Sequence, residues 1–147
     1  MTVIGRLLSS EDVVVELDVP DKLRALEEVA AMAARRHKID SALVLQALWR
    51  REQIGSTGLG HGIAVPHARI AGIAEPIVLL MRTKHPIEYN APDRKPVSIL
   101  FAILVPENAN DEHLRILATV AKMFSDKSFR RRLETAVEPA AIQRLFS

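Results

Sequence analysis

Apolar positions recur along this chain at two periods, and the change from one to the other outlines its elements. Val13-Val14-Val15-Glu16-Leu17 is short and β-branched, which predicts a strand. Pro20 and Asp21 then open a helix. In it Leu23, Leu26, Ala30 and Ala33 recur at spacings of three and four and so share one face. Arg35-Arg36-His37-Lys38 places cations in its last turn, where the helix dipole favours them; His37 is read as part of that positive end. A second helix starts with Asp40 or Ser41 as its cap and runs to about Gln53. Leu43, Ala47, Trp49 and Arg50 give it mixed faces, Arg50 and Arg51 fall in its final turn, and Gly55 suits a C-terminal stop.

Further on, Ile63-Ala64-Val65 is a short strand-like run, and Ile77 to Met81 reads as another strand. Pro86, Pro92 and Pro96 punctuate the segment behind it. Val97 to Val105 is apolar almost throughout, as expected of a central strand covered on both faces, and Pro106 ends it. Asn110 or Asp111 caps a third long helix with Leu114, Leu117, Ala118 and Ala121 along one side. Two shorter helices begin at about Ser128 and about Pro139. There is no internal repeat and no linker. Strands interleaved with helices predict an α/β fold with a sheet covered on both faces, and residues 1–147 form a single domain.

Composition narrows the function classes. At 147 residues, 48% hydrophobic and 26% charged, the chain has the make-up of one folded domain with a substantial core. It has no cysteine, which excludes disulfides, thiolate metal sites and a cysteine nucleophile. The first ten residues lack a basic leader and an export-length apolar stretch, and no run approaches the roughly 20 apolar residues that span a bilayer. A cytoplasmic location without membrane insertion is the expectation. The net charge is only +2, aromatic residues make up 4%, and the one basic cluster (Lys127, Arg130, Arg131, Arg132) reads as a solvated helix face. Nucleic acid is therefore not an expected partner.

One segment stands apart. Four of the six glycines, Gly55, Gly58, Gly60 and Gly62, fall in eight residues, and Ile63-Ala64-Val65-Pro66-His67 comes directly after them. Such a loop leaves room for a close partner or an anion. An imidazole with a pKa near 6.5 is largely unprotonated at neutral pH and can attack phosphorus. Ser56, Thr57, Arg51 and the loop's backbone N–H groups are candidate donors to phosphoryl oxygens. His113 falls in the first turn of the helix after the central strand, where anions are favoured, so His67 and His113 can meet across one anion. Read from spacing alone, His67 is equally a turn histidine.

Two other chemistries compete. A metal-dependent hydrolase would draw on His61, His67 and His113 with Asp111 or Glu112, but these lack the helical His-Glu-x-x-His spacing. A docking module without chemistry would need neither histidine motif. His61 is read as a loop residue near the site, His85 as an exposed turn residue, and Trp49 and Tyr89 as packing or rim groups.

The stretch Arg51-Glu52-Gln53-Ile54-Gly55-Ser56-Thr57-Gly58-Leu59-Gly60-His61-Gly62-Ile63-Ala64-Val65-Pro66-His67-Ala68-Arg69 resembles the active-site segment of phosphotransferase-system enzyme IIA domains of the fructose–mannitol group, most closely the nitrogen-regulatory branch. Leu100-Phe101-Ala102-Ile103-Leu104-Val105-Pro106 and Glu112-His113-Leu114 resemble that family's second signature. The resemblance implies a mixed β-sheet flanked by helices and a histidine phosphorylated by an HPr-like phosphocarrier. It implies His67 as the phosphoryl acceptor, His113 as the histidine that supports the phosphate, and Arg51 and Thr57 as assisting residues. No cofactor or metal is implied. Regulated partners such as transporters or sensor kinases are, with the chain a monomer or weak dimer. A free-standing sugar-specific IIA that passes phosphate to a IIB domain is the variant within the family. Ala68 departs from the glycine many relatives carry after the histidine, and removes no functional group.

Overall fold

Strand β6 (Val97–Pro106) organises the molecule. Its side chains alternate between two hydrophobic clusters: Ile99, Phe101, Ile103 and Val105 enter one, Ala102 and Leu104 the other. That alternation is the period of a pleated strand, and an unbroken apolar run is what burial on both faces demands. The computed structural model describes residues 2–147.

In chain order the elements are α1 (Val3–Leu7), a 3-10 turn (Ser10–Asp12), β1 (Val13–Leu17), α2 (Lys22–His37), α3 (Ser41–Ile54), β2 (Gly58–Gly60), β3 (Ile63–Ala64), β4 (His67–Ile70), β5 (Ile77–Ile87), β6, α4 (Asp111–Phe124), α5 (Lys127–Thr135) and α6 (Pro139–Leu145). The six strands form one mixed sheet in the order β1-β5-β6-β3-β2, with β4 also on β6. β1 runs parallel to β5, β5 antiparallel to β6, β3 and β4 parallel to β6, and β2 antiparallel to β3. Helices α2 and α3 cover one face; α1, α4, α5 and α6 cover the other. The second face contains all four phenylalanines of the chain, Phe101, Phe124, Phe129 and Phe146, with ring centroids 5.2–6.3 Å apart.

The long helices begin at polar side-chain caps. Asp21, Asp40 and Asn110 accept from the backbone N–H of Arg24, Ala42 and His113. Several expectations are corrected. Gly55 comes after α3 in an extended conformation (φ 171°), so its role does not depend on glycine's left-handed freedom. Leu23 is 41% exposed; the inward stripe of α2 is Ala25, Leu26, Val29, Ala30, Met32 and Ala33. On α4 the buried stripe is Ile116, Val120 and Phe124, not the side with Leu114, Leu117, Ala118 and Ala121. The strand from Ile77 does not stop at Met81 but continues through Pro86, so exposed His85 sits in a strand rather than a turn. Proline is accommodated there because the β5–β6 register shifts between Arg82 and Ile87.

The glycine-rich segment is a hairpin rather than an open loop. β2 and β3 pair across Gly60, His61 and Gly62, all of which have positive φ. Gly58 is required by proximity, since a Cβ there would stand 2.8 Å from the Ala91 Cβ.

Candidate functional site

His67 is the first residue of β4, directly opposite Ile103 of β6. β3 and β4 lie end to end along the same edge of β6, separated by Val65-Pro66. At this break the Val65 N–H turns away to donate to the Thr57 carbonyl (2.9 Å), while the Pro66 carbonyl accepts from Ile103 (2.9 Å). Proline suits the break, having no N–H to leave unpaired. The Val65 carbonyl then takes up His67, whose Nδ1 lies 2.8 Å away. A carbonyl only accepts, so Nδ1 carries the proton and the Nε2 lone pair points outward.

Nε2 opens onto a cleft of about 410 Å³ lined by Arg50, Arg51, Ile54, Arg69, Leu114 and Leu117, among others. A second hollow of about 330 Å³ shares His67 and Arg51 and extends over Ser56, Thr57, Leu59, Ala118 and Ala121. The side of α4 that carries Leu114, Leu117, Ala118 and Ala121 thus lines the site. Arg51, in the last turn of α3, donates from Nε to His67 Nε2 at 3.3 Å and from Nη1 to the Gly55 carbonyl at 2.7 Å. Arg69 donates to the Glu107 carbonyl at 3.2 Å. Three arginines therefore line a largely apolar hollow together with His67, an arrangement suited to an incoming anion.

Burial pulls the His67 pKa below the usual imidazole value, and the neighbouring Arg51 cation adds to this. The hydrogen bond to Val65 and the Glu52 charge oppose it. The ring is thus neutral at neutral pH, as a nucleophile must be.

The expected site residues are placed differently. Arg51 and His67 are hydrogen-bonded partners. Thr57 lies beside them, but its hydroxyl points down to donate to Glu52 and lies 3.1 Å from the Tyr89 phenol. The Ser56 hydroxyl likewise donates to the Tyr89 carbonyl (3.1 Å). His113 stands in the first turn of α4, with its backbone N–H held by Asn110 at 2.9 Å. Its Nδ1 is buried and unpartnered, and among the described residues no hydrogen bond joins it to His67. His61 lies on the hairpin tip and lines a different hollow, with Lys127, Arg130, Arg131 and Glu134. Among the described residues no three histidine, aspartate or glutamate side chains converge as a metal site would require, and no helix is long and apolar enough to cross a membrane.

Sequence reasoning missed the layer beneath. Glu52 is 1% exposed at its side chain and pairs with Lys22 Nζ at 2.7 Å. It also receives the Thr57 N–H (3.2 Å) and the Tyr89 phenol (3.4 Å). Lys22 donates to the Tyr89 carbonyl (3.1 Å) and lies 4.5 Å from that ring's centroid. Burial beside Glu52 raises the Tyr89 pKa and keeps the phenol protonated. The only sequence signal was a charged pair in one helical turn, Arg51-Glu52; neighbours on a helix face different ways, so one reaches the cleft and the other the interior.

Comparison with known proteins gives the family and the fold. A sequence model of the family described as phosphoenolpyruvate-dependent sugar phosphotransferase system, EIIA 2, matches residues 6–147. The chain is 38% identical over 125 residues to a nitrogen regulatory protein of Pseudomonas aeruginosa, covering 84% of this chain and 81% of that one. Among solved structures, nitrogen regulatory protein IIA-Ntr from Neisseria meningitidis superposes with a TM-score of 0.94 at 39% identity, over 99% of this chain and 100% of that one. IIA mannitol of Escherichia coli, at 18% identity and a TM-score of 0.78, shares the fold over 95% of this chain and 99% of that one.

Proposed function

This chain belongs to the phosphoenolpyruvate-dependent sugar phosphotransferase system EIIA 2 family, and from that premise we propose that it is a cytoplasmic phosphoryl carrier whose acceptor is His67 Nε2. The observation that carries the proposal is the imidazole held by its Nδ1–H on the Val65 carbonyl, with Nε2 facing Arg51 and an arginine-rimmed cleft.

The donor is an HPr-like phosphohistidine carrier. Its P–N bond breaks as the His67 Nε2 lone pair bonds to phosphorus, and the donor ring leaves with its electron pair and takes up a proton. Such a loosely bonded transfer asks the protein mainly for positioning and charge stabilisation. Arg51 Nε–H, which rests against Nε2, turns to the phosphoryl oxygens as they arrive. His113, in the first turn of the helix that follows β6, is the second histidine of the reading, with a role in holding the phosphate. Thr57 acts from below, holding the loop.

Phosphorylation places about two negative charges at a ring that was neutral. The apolar rim that meets a partner includes Ile54, 82% exposed. A partner that docks there distinguishes the free from the phosphorylated form, and this is the means by which the chain regulates transporters or sensor kinases. The similarity to nitrogen regulatory proteins favours this role over sugar-specific transfer to a IIB domain.

The test is transfer from phosphoenolpyruvate through enzyme I and an HPr-like carrier. Wild type should gain an acid-labile, base-stable phosphate, His67→Ala none, and His113→Ala should gain it more slowly. An unmodified wild type would reduce the chain to a docking module.

A further inference from the structure

Three hydrogen-bonded links, joined through the backbone of Thr57 and Val65, connect the buried Glu52 carboxylate to the acceptor ring. Glu52 accepts both the N–H and the O–H of Thr57, the Thr57 carbonyl accepts the Val65 N–H at 2.9 Å, and the Val65 carbonyl accepts His67 Nδ1–H at 2.8 Å. Each link fixes the backbone that makes the next, so the carboxylate, by anchoring Thr57, holds the Val65 carbonyl where it meets Nδ1–H. Lys22 fixes the far end by bridging Glu52 and the Tyr89 carbonyl.

We propose that Glu52, with Lys22, is a positioning pair that sets the tautomer and nucleophilicity of His67, holding the Val65 carbonyl on Nδ1–H through the Thr57 backbone and placing a negative charge behind the ring. The proposal rests on the phosphoryl-carrier reading. As Nε2 gives its lone pair to phosphorus, the ring retains Nδ1–H and positive charge develops on it. Arg50 and Arg51 from α3 and Arg69 from β4 line this site, while α4 lines it with Leu114 and Leu117 and carries the titratable His113 in its first turn. The arginines suit the phosphoryl oxygens but oppose charge on the ring. Glu52 supplies negative charge to the ring from the buried layer beneath the site. Glu52 also raises the ring's pKa against the effect of burial, in keeping with that charge.

The test combines nitrogen NMR of the imidazole with transfer kinetics on wild type, Glu52→Gln and the charge-free double variant Lys22→Met/Glu52→Gln. Wild type should show the Nδ1–H tautomer; a predominant Nε2–H tautomer would overturn the proposal without any variant. Both variants should titrate His67 at lower pH than wild type and accept phosphate about tenfold more slowly, with KM for the donor carrier unchanged. If folded variants keep the wild-type tautomer, titration midpoint and rate, the network is structural packing and the proposal fails. If wild type accepts no phosphate while its ring still titrates in response to Glu52, the carrier reading fails and the coupling stands.

Discussion

His67 owes its reactivity to two contacts that divide the ring's nitrogens. The Val65 carbonyl holds Nδ1–H, and Arg51 marks Nε2 as the side an anion approaches. The lowered pKa has two consequences. The nucleophile is the neutral ring, so the acidic limb of the transfer rate should lie below pH 6.5; rapid-quench transfer between pH 5 and 8 reads it. The unfolded chain takes up that proton first as pH falls, so stability contributed at this site is present above 6.5 and lost between 6.5 and the folded value. Arg51→Ala should slow transfer by about 10²-fold, the usual cost of removing one preorganised donor, with the circular dichroism of wild type retained.

The elements place these residues by joining distant segments. Lys22 at the start of α2, Glu52 at the end of α3 and Tyr89 after β5 lock together beneath the hairpin. Breaking a buried ion pair leaves an uncompensated charge, so Lys22→Met should destabilise by about 3–5 kcal/mol in urea denaturation. Gly58→Ala should cost about 1–3 kcal/mol through overpacking against Ala91, and Ala91→Gly in the same chain should recover part of it.

The helices α2, α3 and α4 and the central strand are legible in the sequence because caps and periodicity are local. β2 and β4 are not, since both are short and are defined by pairing with distant strands, β4 entirely with β6. His67, Arg51 and the family are legible from a motif. The buried state of Glu52 is not, because its partner Lys22 lies on another helix. On α4 two apolar stripes compete, and only the packed sheet decides that Ile116, Val120 and Phe124 go inward and Leu117 and Ala121 to the cleft.

Across the whole molecule, β6 connects the core to the site. Ile103 backs His67 in the sheet and also belongs to the cluster that contains the four phenylalanines. Phe146 is fully buried there, and Thr2 donates to its carbonyl, so both ends of the described chain close over one core. Phe146→Ala should destabilise by about 3–5 kcal/mol, with the loss seen as a lower denaturation midpoint. The chemistry at His67 should be unchanged at temperatures where the variant remains folded.

The central claim is that the phosphoryl group is carried on one specified nitrogen. Phosphorus–nitrogen NMR of the phosphorylated wild-type protein, labelled with nitrogen-15 in its histidines, tests it most directly. The geometry predicts coupling from phosphorus to Nε2 of His67 with Nδ1 still protonated. Phosphorus on Nδ1 of His67, or on His113, would contradict it.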